Sequence, residues 1–468
     1  MIVMKFGGSS VADAGRIRRV AEIVRSQLGR KPVLVFSAMG DTTDHLLEAG
    51  NAAVEKGEVS IERIEKHHFD TIKKLKLPEA DRKEMASLLE ELRRLLSGIS
   101  LIRELTPRTK DFLVSFGERL SVRIVAAYFR SLGTKAVACD AWDVGFLSDS
   151  NFTSAELVRE SRELVAAKVN SLLRKGALPV VTGFLAKDKN GDITTLGRGG
   201  SDLSATVIAA ACGAEEAQVW KDVDGILTAD PRVVEMAIPV EAVTYEEASE
   251  LAYFGAQVLH PRAMQPCIST GTPVLVKNSY NPAAPGTRIV TALKKGTPPV
   301  RAITFRRDVT LVDIVSTRMM GQYGFLAELF LGFARHRISV DMVATSEVSV
   351  SLTIDAGQDI SALKKELARI VNIDVKTGKA IVTIVGNVKR SSEILARAFR
   401  TCQLIGVPVQ MISQGASKVN ISFVVNDTEA ADVVRALHYD FFEFEPGEKP
   451  AVKAAAKPEA KRAARSGK

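Results

Sequence analysis

Over the first 290 positions, apolar residues fall into short, β-branched runs separated by helical stretches. Ile2–Phe6, Val33–Ser37, Lys135–Cys139, Leu178–Thr182, Gln218–Trp220 and Pro273–Val276 read as buried strands. Most are followed by glycine or a small polar residue and then a helix, an order that predicts an open, mainly parallel α/β sheet. From Asp44 to Leu105 the period is helical, with charged faces such as Glu62-Arg63-Ile64-Glu65-Lys66-His67-His68. This stretch is expected to be a helical insert serving as a lid. Neighbouring His67 and His68 cannot share one helix face, so they read as solvated surface and not as metal ligands.

Residues 281–299 are rich in Pro, Gly and Lys and carry no helical period, which places a domain boundary there. An internal repeat follows. Val309–Val315, a helix at about 324–336, Ile338–Ala344 and Val348–Asp355 give strand, helix, strand, strand. Ala380–Gly386, a helix at about 391–404, Val407–Ser413 and Lys418–Val425 repeat that order, with Val340-Asp341-Met342 aligned to Val409-Gln410-Met411. The expected organisation is one α/β domain over 1–290, two α+β modules over 300–376 and 377–445, and a basic, disordered tail over 446–468.

Composition agrees with a globular chain: 468 residues, 46% apolar and 25% charged. The net charge of +8 raises the question of nucleic acid, but residues 447–468 hold seven Lys/Arg against two Glu, leaving +3 on the rest. Neither nucleic acid nor membrane is expected as a partner. Four cysteines (Cys139, Cys212, Cys267, Cys402) have no paired spacing, which argues against a zinc site or a redox pair and for reduced thiols. No apolar stretch approaches the roughly 20 residues of a membrane span, and the start, Met1 to Gly8, is too short and polar for a signal peptide. A cytoplasmic location is expected.

Candidate chemistry concentrates where strands feed helices. In Lys5-Phe6-Gly7-Gly8-Ser9-Ser10-Val11 the glycines let the backbone approach a phosphate and a helix N-terminus follows, with Lys5 aimed at that spot. In Thr195-Leu196-Gly197-Arg198-Gly199-Gly200-Ser201-Asp202, Ser201 or Asp202 is expected to cap a helix. The third segment, Lys221-Asp222 through Arg232, mixes carboxylates and cations as a nucleotide and its metal would require. No Walker loop or dinucleotide fingerprint is present. Together these segments favour a site at the carboxyl ends of one parallel sheet.

Lys5–Val11, Ser37–Leu46, Ser115-Phe116-Gly117-Glu118, Gly197–Asp202 and Asp222–Arg232 resemble the motif set of the amino-acid kinase family, in particular its aspartate kinases, and the two modules resemble ACT domains. Phe325–Glu328, Ser339–Asp341 and Thr345–Val350 resemble the lysine-sensitive monofunctional branch. The resemblance implies transfer of phosphate from ATP, carried with Mg²⁺, to the side-chain carboxylate of L-aspartate, with no metal held by protein groups alone. Such a carboxylate is already ionised at pH 7, so no general base is required; the need is to cancel repulsion between two anions.

The same resemblance implies that Lys5 and Asp202 are catalytic and that Ser37, Thr43, Glu118, Arg198 and Ser201 bind the acceptor, Arg198 its carboxylate and Glu118 its ammonium. Lys5, Gly7, Gly8, Ser9, Lys221, Asp222, Leu227, Arg232, Gln257 and Val258 fall on nucleotide positions. Gln257 stands where relatives carry lysine, which predicts a raised ATP KM. Met319, Gln322, Phe325, Leu326, Val340, Asp341, Ser346 and Glu347 fall on effector positions, and the first module's Asp341 and Glu347 suit a cation such as lysine. Gln322 replaces a smaller residue there. A homodimer or higher oligomer is expected. The alternatives are a non-catalytic amino-acid sensor and a related kinase with another carboxylate acceptor.

Overall fold

The computed structural model describes residues 1–253, 259–316, 319, 323–387, 391–415 and 419–444. Gln257, Val258, Gln322, Lys418 and the basic tail lie outside them.

The first sheet has eight strands: β1 (Ile2–Phe6), β2 (Pro32–Phe36), β3 (Ala136–Cys139), β4 (Leu178–Thr182), β7 (Ala217–Lys221), β8 (Ala242–Thr244), β9 (Val274–Asn278) and β10 (Thr287–Val290). Their order is β3-β4-β2-β1-β7-β9-β10-β8, and the six from β3 to β9 run parallel. Strand order reverses at β1, whose neighbours lead away in opposite directions, so a crevice opens at its carboxyl end. A short hairpin, β5 (Leu185–Lys187) with β6 (Ile193–Thr195), follows β4. Two strands of this sheet depart from the expected set: β10, inside the stretch read as a linker, pairs antiparallel with β9, and β8 pairs parallel with β10 to form the edge.

Side chains alternate across β1. Ile2, Met4 and Phe6 enter a core built with α1 (Ala14–Arg25), α2 (Thr42–Glu55), α3 (Glu62–Leu75), α4 (Glu79–Ile102) and α5 (Pro107–Ser131). Val3 joins the opposite core, formed with α6 (Arg159–Arg174), α7 (Gly200–Cys212), α8 (Tyr245–Tyr253) and α9 (Pro261–Thr270). By the same alternation Lys5 faces α7.

The insert read as a lid is a packed layer. Ile64, Ile72, Leu89, Leu92, Leu96 and Ile99 are buried in one core with β1 and β2, and opening them would expose that whole face. His68 is likewise no surface residue: it is fully buried, its Nδ1 bonds the Ile64 carbonyl at 2.7 Å, and burial pushes its pKa down to about 4.

The second sheet has the order β12-β13-β11-β14-β16-β15 and carries both modules: β11 (Val300–Val315), β12 (Val343–Thr345), β13 (Ser349–Asp355), β14 (Asn372–Gly386), β15 (Met411–Ser413) and β16 (Asn420–Asn426). Its helices are α10 (Phe325–Arg335), α11 (Ser361–Leu367), α12 (Ser391–Leu404) and α13 (Asp427–His438). β12 is shorter than the strand expected over Ile338–Ala344. β11 and β14 are long and run through both modules: Val309–Val315 pairs with β13, whereas Ala302–Arg306 pairs with Ile381–Val385. Each module therefore completes its sheet with a strand that begins or ends in the other. Met342 and Met411, matched in the repeat, meet in one small core with Val309, Leu311, Ile381 and Val424.

Candidate active site

At the carboxyl end of β1, the Lys5 ammonium lies 2.6 Å from the Asp202 carboxylate, and both side chains are nine-tenths buried. Lys221, ending β7, reaches the other oxygen of Asp202 at 3.9 Å. One carboxylate thus holds two cations, leaving a local excess of positive charge beside the cavity. Burial lowers the pKa of Lys221, Asp202 opposes that shift, and Lys5 adds to it. The residue expected to cap α7 does not do so. Gly199 is the N-cap, with φ +72° and no side-chain cap, so Asp202 falls in the first turn and points across to Lys5.

A cavity of about 260 Å³ is lined by Lys5, Thr43, Glu118, Phe184, Gly197, Gly199, Gly200, Ser201 and Asp202. Five expected residues therefore meet in one place: Lys5, Thr43, Glu118, Ser201 and Asp202. Glu118 is 4% exposed in mid-α5, accepting the Ala38 N–H at 3.1 Å through one oxygen and leaving the other without a partner. Burial pushes its pKa up to about 8, with Lys5 acting to lower it. It makes no surface pair with the neighbouring arginines: Arg119 binds Glu91 at 3.1 Å and Arg123 binds Asp140 at 2.9 Å. Arg198 stands exposed on the Gly197–Gly199 turn, unpaired among the described residues. Ser37 sits just past β2, its N–H donating to the Phe6 carbonyl.

The strap Gly8–Val11 is a single 3₁₀ turn. A Cβ on Gly8 would come 2.8 Å from the Ala38 carbonyl, so this glycine is needed for backbone contact; a Cβ on Gly7 would meet only Lys5 Nζ, at 3.8 Å. Ser9 is exposed. Tyr280 donates to its carbonyl at 3.1 Å, and Ser279 ties Ser10 (2.9 Å) to the Lys221 carbonyl (3.0 Å). Asp222 is exposed, Leu227 half-buried, and Arg232 is held by Asp230 at 2.7 Å.

Reasoning from sequence missed the tie at Ser279 and Tyr280, and also Phe184. Phe184 lines the cavity at φ +69°, a strained setting for a bulky residue, and nothing local in Gly183-Phe184 distinguishes it from an ordinary turn. A larger cavity, about 560 Å³, lies between Glu91, Arg108, Arg119, Trp142 and Lys187, but it holds none of the expected residues.

No group of three or more His, Cys, Asp or Glu that could hold a metal gathers among the described residues. A magnesium ion entering with a nucleotide would fit here chiefly through phosphate oxygens and water.

At the effector positions, Phe325 is buried at the start of α10, Met319 and Val340 pack against the first module's core, and Leu326, Ser346 and Glu347 are exposed. Asp341 is already engaged: Arg306 lies 3.1 Å from one oxygen and the Tyr253 hydroxyl donates to the other at 2.6 Å.

Residues 1–278 match the model of the amino acid kinase family, and residues 312–365 and 382–441 match an ACT domain model. Aspartokinase 1, chloroplastic, of Arabidopsis thaliana is 50% identical over 459 residues, covering 94% of this chain and 80% of that protein. Two crystal structures of Escherichia coli aspartokinase III superpose over 94% of this chain. One, with lysine and aspartate in the T-state, has a TM-score of 0.78 at 35% identity and 99% coverage of its own chain. The other, with aspartate and ADP in the R-state, has 0.76 at 34% and 100%. With a kinase-type sheet, two ACT modules and this degree of identity along nearly its whole length, the chain belongs to the aspartokinases of the amino acid kinase family.

Proposed function

We propose that the protein transfers the γ-phosphate of ATP to the side-chain carboxylate of L-aspartate, giving 4-phospho-L-aspartate, the opening step toward lysine, threonine and methionine. The convergence of Lys5 and Lys221 on Asp202 beside the cavity carries this reading. The attacking carboxylate arrives as an anion, and so does the nucleotide; the surplus positive charge offsets their repulsion, and α7 adds its N-terminal dipole. Asp202 keeps both ammonium groups aimed at the transfer point. Gly7, Gly8 and Ser9 form the phosphate strap, and Lys221, Asp222, Leu227 and Arg232 follow the nucleotide outward. Glu118 receives the substrate ammonium, Arg198 swings in to its α-carboxylate, and Ser37, Thr43 and Ser201 supply hydroxyl contacts. Magnesium supplies charge neutralisation when it arrives with ATP.

Lysine is the proposed feedback effector. E. coli aspartokinase III has been crystallised with it, and in this chain Asp341 offers a carboxylate that now binds a guanidinium. A homodimer or larger assembly is proposed from the apolar groups exposed on the first module, including Val315, Leu326 and Val348. Four free cysteines, whose pKa values burial raises to about 11 or about 12, suit the reducing cytoplasm. Among the described residues no helix is long and apolar enough to cross a membrane.

The test is ADP release with aspartate, glutamate and a carbamate-type acceptor, each with and without lysine, threonine and methionine. Aspartate should be the preferred acceptor and lysine the inhibitor; ADP release independent of aspartate would overturn the assignment. Gln257→Lys should lower the ATP KM.

A further inference from the structure

The loop bearing the nucleotide positions Leu227 and Arg232 does not belong wholly to the kinase domain. Its Ala229 and Val234 are buried in the core of the second module, with Ile303, Val382, Val433 and Leu437. Thr228, between the two nucleotide positions, is 4% exposed and has every polar group engaged. Its N–H donates to the Ile238 carbonyl at 2.9 Å, and its carbonyl accepts from Ile303 N–H at 2.8 Å. Its hydroxyl oxygen accepts from Ile238 N–H at 3.0 Å and lies 2.8 Å from Nε2 of His438.

His438 is the last residue of α13 and is fully buried. A π turn over Tyr439–Glu443 brings Glu443 back beneath it, with Oε1 2.7 Å from Nδ1. A carboxylate only accepts, so Nδ1 carries a proton, and in the neutral imidazole Nε2 then accepts from the Thr228 hydroxyl. The bonds form one directional chain: Thr228 to His438 to Glu443.

We propose that His438 is a positioning residue for nucleotide binding: from the C-terminal helix of the regulatory region it fixes, through Thr228, the loop that holds Leu227 and Arg232. The inference rests on the kinase reading above and deepens it. His438 touches no substrate. It sets where the loop stands, so loss of the bond should act on the nucleotide and not on the acceptor.

The test uses the full-length chain with Thr228→Val, Thr228→Ser, His438→Gln and the double variant Thr228→Val/His438→Gln. Loss of one buried hydrogen bond corresponds to about fivefold in affinity. Thr228→Val and His438→Gln should each raise the ATP KM by about that factor, with the aspartate KM and kcat unchanged, and Thr228→Ser should restore the parent value. The double variant should be no worse than Thr228→Val alone, because that substitution already breaks the link to His438 along with the bond from Ile238 N–H. An unchanged ATP KM in the folded single variants, additive effects in the double, or equal losses for both substrates would overturn the proposal. If one single variant fails to fold, the other carries the same comparison. ADP titration calorimetry on the parent and variants separates this inference from the assignment of aspartate: an altered acceptor preference leaves the calorimetric comparison intact, whereas equal ADP affinities in parent and variants would sink the link itself.

Discussion

Lys5 is the residue on which most depends. A lysine that ends an apolar strand and is nine-tenths buried requires a partner, and Asp202 at 2.6 Å is that partner. Lys5→Ala should lower kcat by about 10²–10³, the usual cost of removing one charge-stabilising donor from a transfer site. Steady-state ADP release measures it, and parent-like turnover would contradict the mechanism. Glu118 gives a pH signature. With its pKa pushed up to about 8 by burial, this group is largely protonated at pH 7, yet the proposed ammonium contact needs the carboxylate. The aspartate KM should therefore fall as pH rises from about 6.5 to about 8.5, and Glu118→Gln should flatten the curve. The linkage to folding has the opposite sense: between the unfolded value near 4.5 and about 8 the native state binds more protons than the unfolded chain, so this group's contribution to stability declines as pH rises through that window. Both residues were legible from their motifs. The protonation of Glu118 was not, because it arises from burial by segments distant in sequence.

At the scale of elements, alternation along β1 is enough to send Lys5 toward α7, and the short apolar runs marked six of the first sheet's eight strands. The two glycines of the strap look equivalent in sequence but differ in the fold. Gly8→Ala would drive a methyl to 2.8 Å from the Ala38 carbonyl and should cost about 1–3 kcal/mol, seen as a lower Tm. Gly7, with φ −75° and only the Lys5 tip nearby, should tolerate alanine to within about 0.5 kcal/mol, while its ATP KM rises as the methyl crowds the phosphate path. Equal Tm losses in both would refute the distinction. Helix α8 carries the other element-scale lesson. Glu247 lies 3.7 Å from buried Arg301, Glu250 accepts from Asn420 at 2.7 Å, and Tyr253 reaches Asp341, so one short helix touches both modules. It ends next to residues 254–258, where Gln257 and Val258 fall.

For the whole molecule, those contacts tie Asp341, the carboxylate proposed to receive the effector, to the kinase domain. Asp341 is shared by Arg306 and Tyr253, and a lysine ammonium would compete for the same oxygens. Asp341→Ala should abolish lysine inhibition while activity without lysine persists. Tyr253→Phe, which removes a competitor for the carboxylate, should instead strengthen inhibition by about fivefold. Inhibition curves for the two variants check both signs, and movement in the same direction would break the argument. The amino-acid sequence by itself determined most of the parallel sheet and the repeat, because periodicity and glycine placement are local properties of the chain; it did not show that residues 287–290, read as linker, add a strand to that sheet. The tertiary structure alone decided that β11 and β14 thread both modules, that Thr228 answers to His438 across 210 positions, and that Asp341 is already paired. Each of those outcomes depends on which distant strand or helix completes a buried surface. Long-range packing sets that choice, and no short window of residues encodes it.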